Sequence, residues 1–214
     1  MVKKLCLVWV SLLLFISSFS QSHEWKLDKD ENGIKVYTRP IEGFPVDELR
    51  TETVVHAPMA AILAVIMDAD NYEEWVFACS ESRLVEKISD AEQYQYQVTD
   101  VPWPVTDRDV ASHFLIKQDE KTKVVTVTNT GEPNHIPPKE DRVRVQHFQS
   151  NYKFTPLTNG KVKVEFELFV DPGGNVPAWL INSNIVTAPY KTTEAMVKLL
   201  PSFQTATLPF IKEN

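Results

Sequence analysis

The stretch from Pro172 to Phe203, PGGNVPAWLINSNIVTAPYKTTEAMVKLLPSF, decides how the rest of the chain is read. Pro177 stands where a helix tolerates proline, just behind a Gly-Gly-Asn start. Apolar or small side chains then recur at Ala178, Ile181, Ile185, Ala188, Thr192, Met196, Leu199 and Phe203. The steps are three and four residues, so they mark one face of a helix. A continuous helix from Val176 to Phe203 would be roughly 40 Å long at 1.5 Å per residue. Most of what precedes it has the pattern of strands. A long amphipathic helix beside so much sheet has one place to bury its stripe. The expectation is a sheet curled around this helix, with the function between them.

Upstream, Asn159-Gly160 is a strong hairpin signal. After it Val162, Val164, Phe166, Leu168 and Val170 alternate with Lys161, Lys163, Glu165 and Glu167, an apolar face against a charged one. Before it, Val143 to Phe154 reads as one long strand. The loop from Gly131 to Asp141, stiffened by Pro133, Pro137 and Pro138, leads into it. Val124–Asn129, Val110–Lys117, Gln93–Val101 and Ser82–Ile88 extend the meander. Met59, Ile62, Val65 and Ile66 mark a helix opened by Ala57-Pro58, and Asp68 to Val76 a short second one. Leu49, Thr51, Thr53 and Val55 share a face of a strand from Glu48 to His56, paired through the 41–46 turn with a strand begun at Ile34 and Val36. Trp25 to Asn32 reads as a short helical turn before Asn32-Gly33. The sum is one α+β domain over residues 21–214, with about seven to nine antiparallel strands and few helices.

Residues 1–20 have a different character. Lys3 and Lys4 precede an apolar run from Leu5 to Ile16 and small residues to Ser20, the plan of a secretory signal peptide. An uncleaved anchor is the alternative. The expected location is outside the cytoplasm: periplasmic in a Gram-negative source, secreted otherwise. Without these residues 20 basic side chains face 29 acidic ones, a formal charge of −9. That speaks against nucleic acid as a partner. Of Cys6 and Cys79 only the second remains, so no internal disulfide is expected and the fold must rest on its core.

Val101-Pro-Trp-Pro-Val-Thr-Asp-Arg-Asp-Val110 is not generic strand sequence. Two prolines bracket Trp103 and force a bend, and Arg108 and Asp109 follow as the strand pattern resumes. This stretch resembles the signature of START domains, the StAR-related lipid-transfer family. Three other stretches agree in order: Phe154-Thr-Pro-Leu157 with Asn159-Gly160; Val170-Asp-Pro-Gly-Gly174; and Pro177-Ala-Trp-Leu180 leading to Ala188-Pro-Tyr-Lys191. The likeness covers most of residues 25–203. It implies a helix-grip fold, a curved antiparallel sheet wrapped around a long C-terminal helix and enclosing a hydrophobic tunnel for one lipid or sterol-like molecule. It implies transient membrane contact and no cofactor. Some family members carry a charged pair inside the cavity. Counted from Arg108, the matching positions here are Gln95 and Phe114, so only an amide is offered to a polar head. The resemblance turns Gln95 and Gln97 inward, whereas alternation alone turns Tyr94 and Tyr96 inward.

Candidate tunnel residues follow. From the sheet these are Phe148, Tyr152, Phe166 and Leu168, with Gln95, Gln97 and Phe114. From the helix they are Ile181, Ile185 and Met196, with Trp75 and Trp103 near the walls. Trp75 is otherwise a core aromatic. Arg108 is either a structural ion-pair partner of Asp109 or a head-group ligand. The Gly131 to Asp141 loop is either a plain loop or a gate, and Pro189 is a bend in the helix. No Gly-x-Ser-x-Gly, His-Glu-x-x-His or Cys-x-x-Cys is present, and the five histidines are scattered. His113 and His147 are the pair that strand pairing could bring together. No catalytic residue and no metal ligand is expected. An exported lipid-binding protein is the main reading. A cyclase- or hydrolase-like enzyme on the same scaffold and a solid-cored interaction domain are the alternatives.

Overall fold

The computed structural model describes residues 24–213 apart from 175, 178, 179, 182 and 183, so the signal peptide expected over residues 1–20 lies outside the described residues. One antiparallel sheet dominates. Its strands are β1 (Lys26–Glu31), β2 (Ile34–Pro40), β3 (Asp47–His56), β4 (Cys79–Ser89) and β5 (Glu92–Thr99). They continue with β6 (Arg108–Gln118), β7 (Val125–Gly131), β8 (Val143–Arg144), β9 (His147–Pro156) and β10 (Lys161–Asp171). The spatial order is β1-β2-β3-β10-β9-β7-β6-β5-β4, and the short β8 runs parallel to the start of β6. The two chain-order hairpin ends, β1 and β4, are the open edges, so the sheet is curved but not closed.

Among the described residues, two regular α-helices cover the concave side. α1 (Met59–Met67) is apolar on every face and buried nearly all round, as a core helix must be. A 3₁₀ segment, Ala69–Glu74, follows it. α2 (Thr187–Leu199) carries on into a 3₁₀ turn, Leu200–Phe203. The first turn of α1 is capped from far away. Glu213 accepts the backbone N–H groups of Met59 (2.9 Å) and Ala60 (2.8 Å), placing a carboxylate at the positive end of the helix.

The expected helix from Val176 to Phe203 is not continuous. Its regular part has 13 residues. Residues 185 and 186 adopt turn conformation, with helical backbone recurring at 180, 181 and 184. Pro189 explains the break. It has no N–H to offer the carbonyl four residues back, and its ring crowds that carbonyl. The helix therefore restarts at Thr187, which puts Pro189 in a first turn where the missing N–H costs nothing.

Trp25 to Asn32 is also corrected. Lys26–Glu31 forms edge strand β1, joined to β2 by a tight turn in which Asn32 (φ 52) and Gly33 (φ 75) are left-handed. Its polar sequence shows no alternation because neither face is deeply buried. The expected strand Val143–Phe154 splits into β8, which pairs in parallel with β6, and β9, which pairs antiparallel with β7 and β10.

Candidate functional site

The concave face of the sheet, the 3₁₀ segment after α1 and the residues leading into α2 enclose a cavity of about 550 Å³. The sheet supplies the floor. Phe114 of β6 pairs with Asn129 of β7, Asn129 with Ser150 of β9, Ser150 with Leu168 of β10, and Leu168 with Leu49 of β3. All five face inward and line the cavity. Tyr152, Phe166, Phe148 and Val110 continue the floor in the same phase, since side chains two apart share a face. The roof is Ile181, Ile185, Ala188, Pro189 and Thr192. Trp75, with Tyr72 and Ile66, closes one end. Arg108, Val101, Pro102 and Pro172 stand at the other.

The helical stripe thus has two fates along its length. From Ile181 to Thr192 it faces the cavity, and Met196 instead packs into solid core with α1, 2% exposed. Met196 is therefore not a tunnel residue. α2 is fastened across the sheet by a buried contact between the hydroxyls of Thr193 and Thr51, 3.2 Å. Its N-terminal side is tied to the 75–78 segment through Thr192 Oγ1, which accepts the Phe77 N–H at 3.0 Å.

Strand β5 settles the two opposed face assignments. Its glutamines point in: Gln97 lines the cavity, Gln93 donates to the Met67 carbonyl (2.8 Å), and Gln95 meets the Tyr72 hydroxyl at 2.9 Å. Gln95 sits behind Tyr72, not on the cavity surface, and its Nε2 has no partner among the described residues. Burial pushes the Tyr72 hydroxyl pKa up, so Tyr72 stays neutral. Tyr94 and Tyr96 point out, yet they are covered. The 132–142 loop folds over them, stacking His135 on Tyr94 (centroids 3.6 Å apart) and bringing Arg142 to the Tyr96 hydroxyl (3.0 Å). A strand covered on both sides explains why alternation alone misassigned its faces.

That loop does not border the cavity: none of its residues lines it. Arg144 holds the carbonyls of Pro133 (2.6 Å) and Ile136 (2.9 Å), and Glu81 pairs with Arg142 (2.6 Å) and Lys139 (3.1 Å) from the edge strand. The Arg142 hydrogen bond holds the Glu81 carboxyl below its usual range.

Arg108 and Asp109 do not pair. Consecutive strand residues point to opposite faces. Asp109 goes to the convex side, fully buried, where Arg144 grips it through Nε and Nη2 at 2.9 Å each and Tyr96 donates to it at 2.9 Å. Burial alone would raise the Asp109 carboxyl, but the hydrogen bonds from Arg144 and Tyr96 hold it below its usual value. Arg108 goes to the concave side, lines the cavity, and among the described residues bonds only to the backbone carbonyls of Thr106, Pro172 and Gly173.

Trp103 lies outside the cavity altogether. Its neighbours Val101 and Pro102 line the mouth, and the bracketing prolines carry Trp103 outward until it is 91% exposed. His113 and His147 do not meet: His113 bonds Glu92 at 2.8 Å and His147 packs edge-on to Phe44. Asn129 and Ser150 were missed as lining residues. Their signal was phase, since Asn129 follows Val125 and Val127 on one face and Ser150 falls in step with Phe148 and Tyr152. Asn129 is 8% exposed and its Oδ1 has no partner among the described residues.

The family model described as START domain matches residues 17–204. An uncharacterized protein of Pseudomonas aeruginosa is 35% identical over 177 residues, 82% of this chain and 86% of its own length. The phosphatidylcholine transfer protein of Rattus norvegicus is 27% identical over 74% of this chain and 75% of its own. A solved STAR-related lipid transfer protein fragment from Xanthomonas axonopodis superposes with a TM-score of 0.76 at 33% identity, covering 83% of this chain and 98% of that one.

Proposed function

The chain belongs to the START domain family, and we propose that it is an exported carrier that takes one lipid out of a membrane and shields it in the cavity between sheet and α2. The observation that carries this reading is the cavity itself, about 550 Å³ with walls that are mostly aliphatic and aromatic. That is within the size range of sites that enclose a small apolar molecule. Because the ligand leaves one apolar medium for another, shielding its tail gives little selectivity, and the sparse polar groups of the lining choose the ligand. Asn129 and the hydroxyls of Tyr72 and Tyr152 supply neutral hydrogen-bonding groups, and Gln97 adds an amide at the level of Val110, nearer Arg108.

Delivery needs contact with a surface. Trp103 supports that step, as a nearly fully exposed indole beside the mouth, flanked by prolines that hold the loop out. An indole has an apolar body and a polar N–H, the combination that settles at a membrane interface. Export rests on the basic and then apolar character of residues 3–16. The related transfer proteins support a carrier over an enzyme.

The test is native mass spectrometry of the protein purified from its exported fraction. A mass increment matching one lipid, released on denaturation, is the expected result. A homogeneous ligand-free protein that also fails to take lipid from vesicles overturns the proposal.

A further inference from the structure

Arg108 is the sole cation among the residues that line the cavity. It is 6% exposed and makes no ion pair within 4 Å among the described residues. Its adjacent carboxylate, Asp109, is turned to the other face of the sheet and already held by Arg144. Asp107, the residue before it, accepts the Val101 N–H and makes no ion pair with Arg108 within 4 Å. The three partners of Arg108 are neutral carbonyls: Thr106, Pro172 at 3.4 Å and Gly173 at 3.2 Å. A guanidinium has five N–H groups, so each terminal nitrogen keeps one that these bonds do not use. Burial disfavours the cation and lowers its pKa, against a smaller opposing pull from the Asp107 carboxylate. An anion arriving in the cavity would relieve that cost.

The surroundings leave room for one. Gly173 and Gly174 are both left-handed (φ 60 and 61), and a Cβ at Gly174 would sit 3.7 Å from Nη2. With glycine there, that edge of the guanidinium is not covered by a side chain. Strand β6 carries Arg108 at one end and Phe114 six residues on, a separation of roughly 20 Å along an extended strand. Between them the lining is largely apolar, with Val110, Val145 and Phe148, and its polar groups, Gln97 opposite Val110 and Asn129 opposite Phe114, are uncharged. Asp47, half-buried, and Asp100, exposed, also line the cavity at strand ends, and water screens the second of them.

Resting on the reading of the cavity as a lipid site, we propose that Arg108 anchors the anionic head group of the lipid, a phosphodiester or a carboxylate, at the Trp103 end of the cavity. The tail runs toward Trp75. A planar fork suits either anion, because both present two oxygens to parallel N–H donors.

The experiment compares three probes with the same oleoyl chains: dioleoyl phosphatidylglycerol, oleate and dioleoylglycerol, each offered in neutral carrier micelles to the full chain. The expected result is that at least one of the two anions binds about tenfold or more tighter than dioleoylglycerol, the worth of a charge-assisted pair. The anion that binds more tightly identifies the head-group source. Arg108→Gln should abolish this preference, bringing the affinity for the anion down to that for dioleoylglycerol, and Arg108→Lys should restore part of it. Equal binding of all three probes by the parent overturns the anchor and leaves the lipid site standing. Binding of none overturns the lipid reading itself. If Arg108→Gln does not fold, the ratio measured on the parent still decides. If it folds and keeps the preference, Arg108 serves the backbone alone and the proposal falls.

Discussion

Asp109 and Arg144 form a two-point ion pair on the convex side of the sheet, Nε to Oδ1 and Nη2 to Oδ2 both at 2.9 Å, with side chains 1% and 5% exposed. The same guanidinium holds the carbonyls of Pro133, Ile136 and Pro137. One side chain thus locks the 132–142 loop to strand β6. Arg144→Met should destabilise the protein by about 3–5 kcal/mol, because it leaves the Asp109 carboxylate buried and unpaired. Urea denaturation measures this. A loss below about 1 kcal/mol would mean that the pair behaves as a surface one.

The pH dependence of that pair has a definite sign. Asp109's folded pKa is depressed, so its contribution is complete above the ordinary carboxylate value, about 3.9, and fades as pH falls through the lower folded value. Asp109→Asn should therefore lower stability at neutral pH and flatten the acid limb of the stability curve. Parallel acid limbs for parent and variant would contradict the depressed value.

Trp103 contributes nothing to the core, so Trp103→Ala should leave the melting temperature within a degree or two of the parent. Its removal should lower lipid transfer between vesicles by about tenfold, the order expected from losing a large share of an indole's apolar contact. Uptake from detergent micelles, which needs no docked surface, should change little. Stopped-flow transfer of a fluorescent lipid separates the two.

Ile185 stands in the roof at the break before α2. Ile185→Trp adds bulk into the cavity, where no backbone needs to move to admit it. Binding of a fluorescent lipid should fall about tenfold or more while circular dichroism stays native. Undiminished binding would place the ligand elsewhere.

Asn129 carries the opposite kind of burden. Its Oδ1 is buried without a hydrogen bond among the described residues. Asn129→Leu should stabilise the protein by about 1 kcal/mol, since it removes an unsatisfied acceptor. The same change should weaken binding of lipids bearing a hydroxyl or amide more than of those without. Thermal denaturation and paired binding assays check the two halves.

These residues also show where a sequence can and cannot be read. The stripe from Ile181 to Thr192 was visible because three- and four-residue spacing survives a break in the helix. The break was not, although Pro189 supplied its cause, because the pattern gives no sign of whether a proline bends a helix or starts one. Tyr94 and Tyr96 defeated the alternation rule because the 132–142 loop buries the convex face, giving both faces of β5 a protein environment. Arg108 and Asp109, adjacent and opposite in charge, suggest a pair on paper. Strand geometry sends them to different faces, and the true partner, Arg144, lies 35 residues beyond Asp109. Edge strand β1 was invisible because exposure on both sides removes the selection for alternation.

The cap that Glu213 places on α1 has a consequence for the order of events in a growing chain. Met59 and Ala60 emerge from the ribosome more than 150 residues before the carboxylate that receives their N–H groups. Until then the helix can pack its apolar sides but keeps a bare positive end. A nascent chain that has reached Phe203 holds every strand and both helices, yet it still lacks this closure. The N-terminal end of α1 is therefore sealed late, after the strands it packs against are already in place.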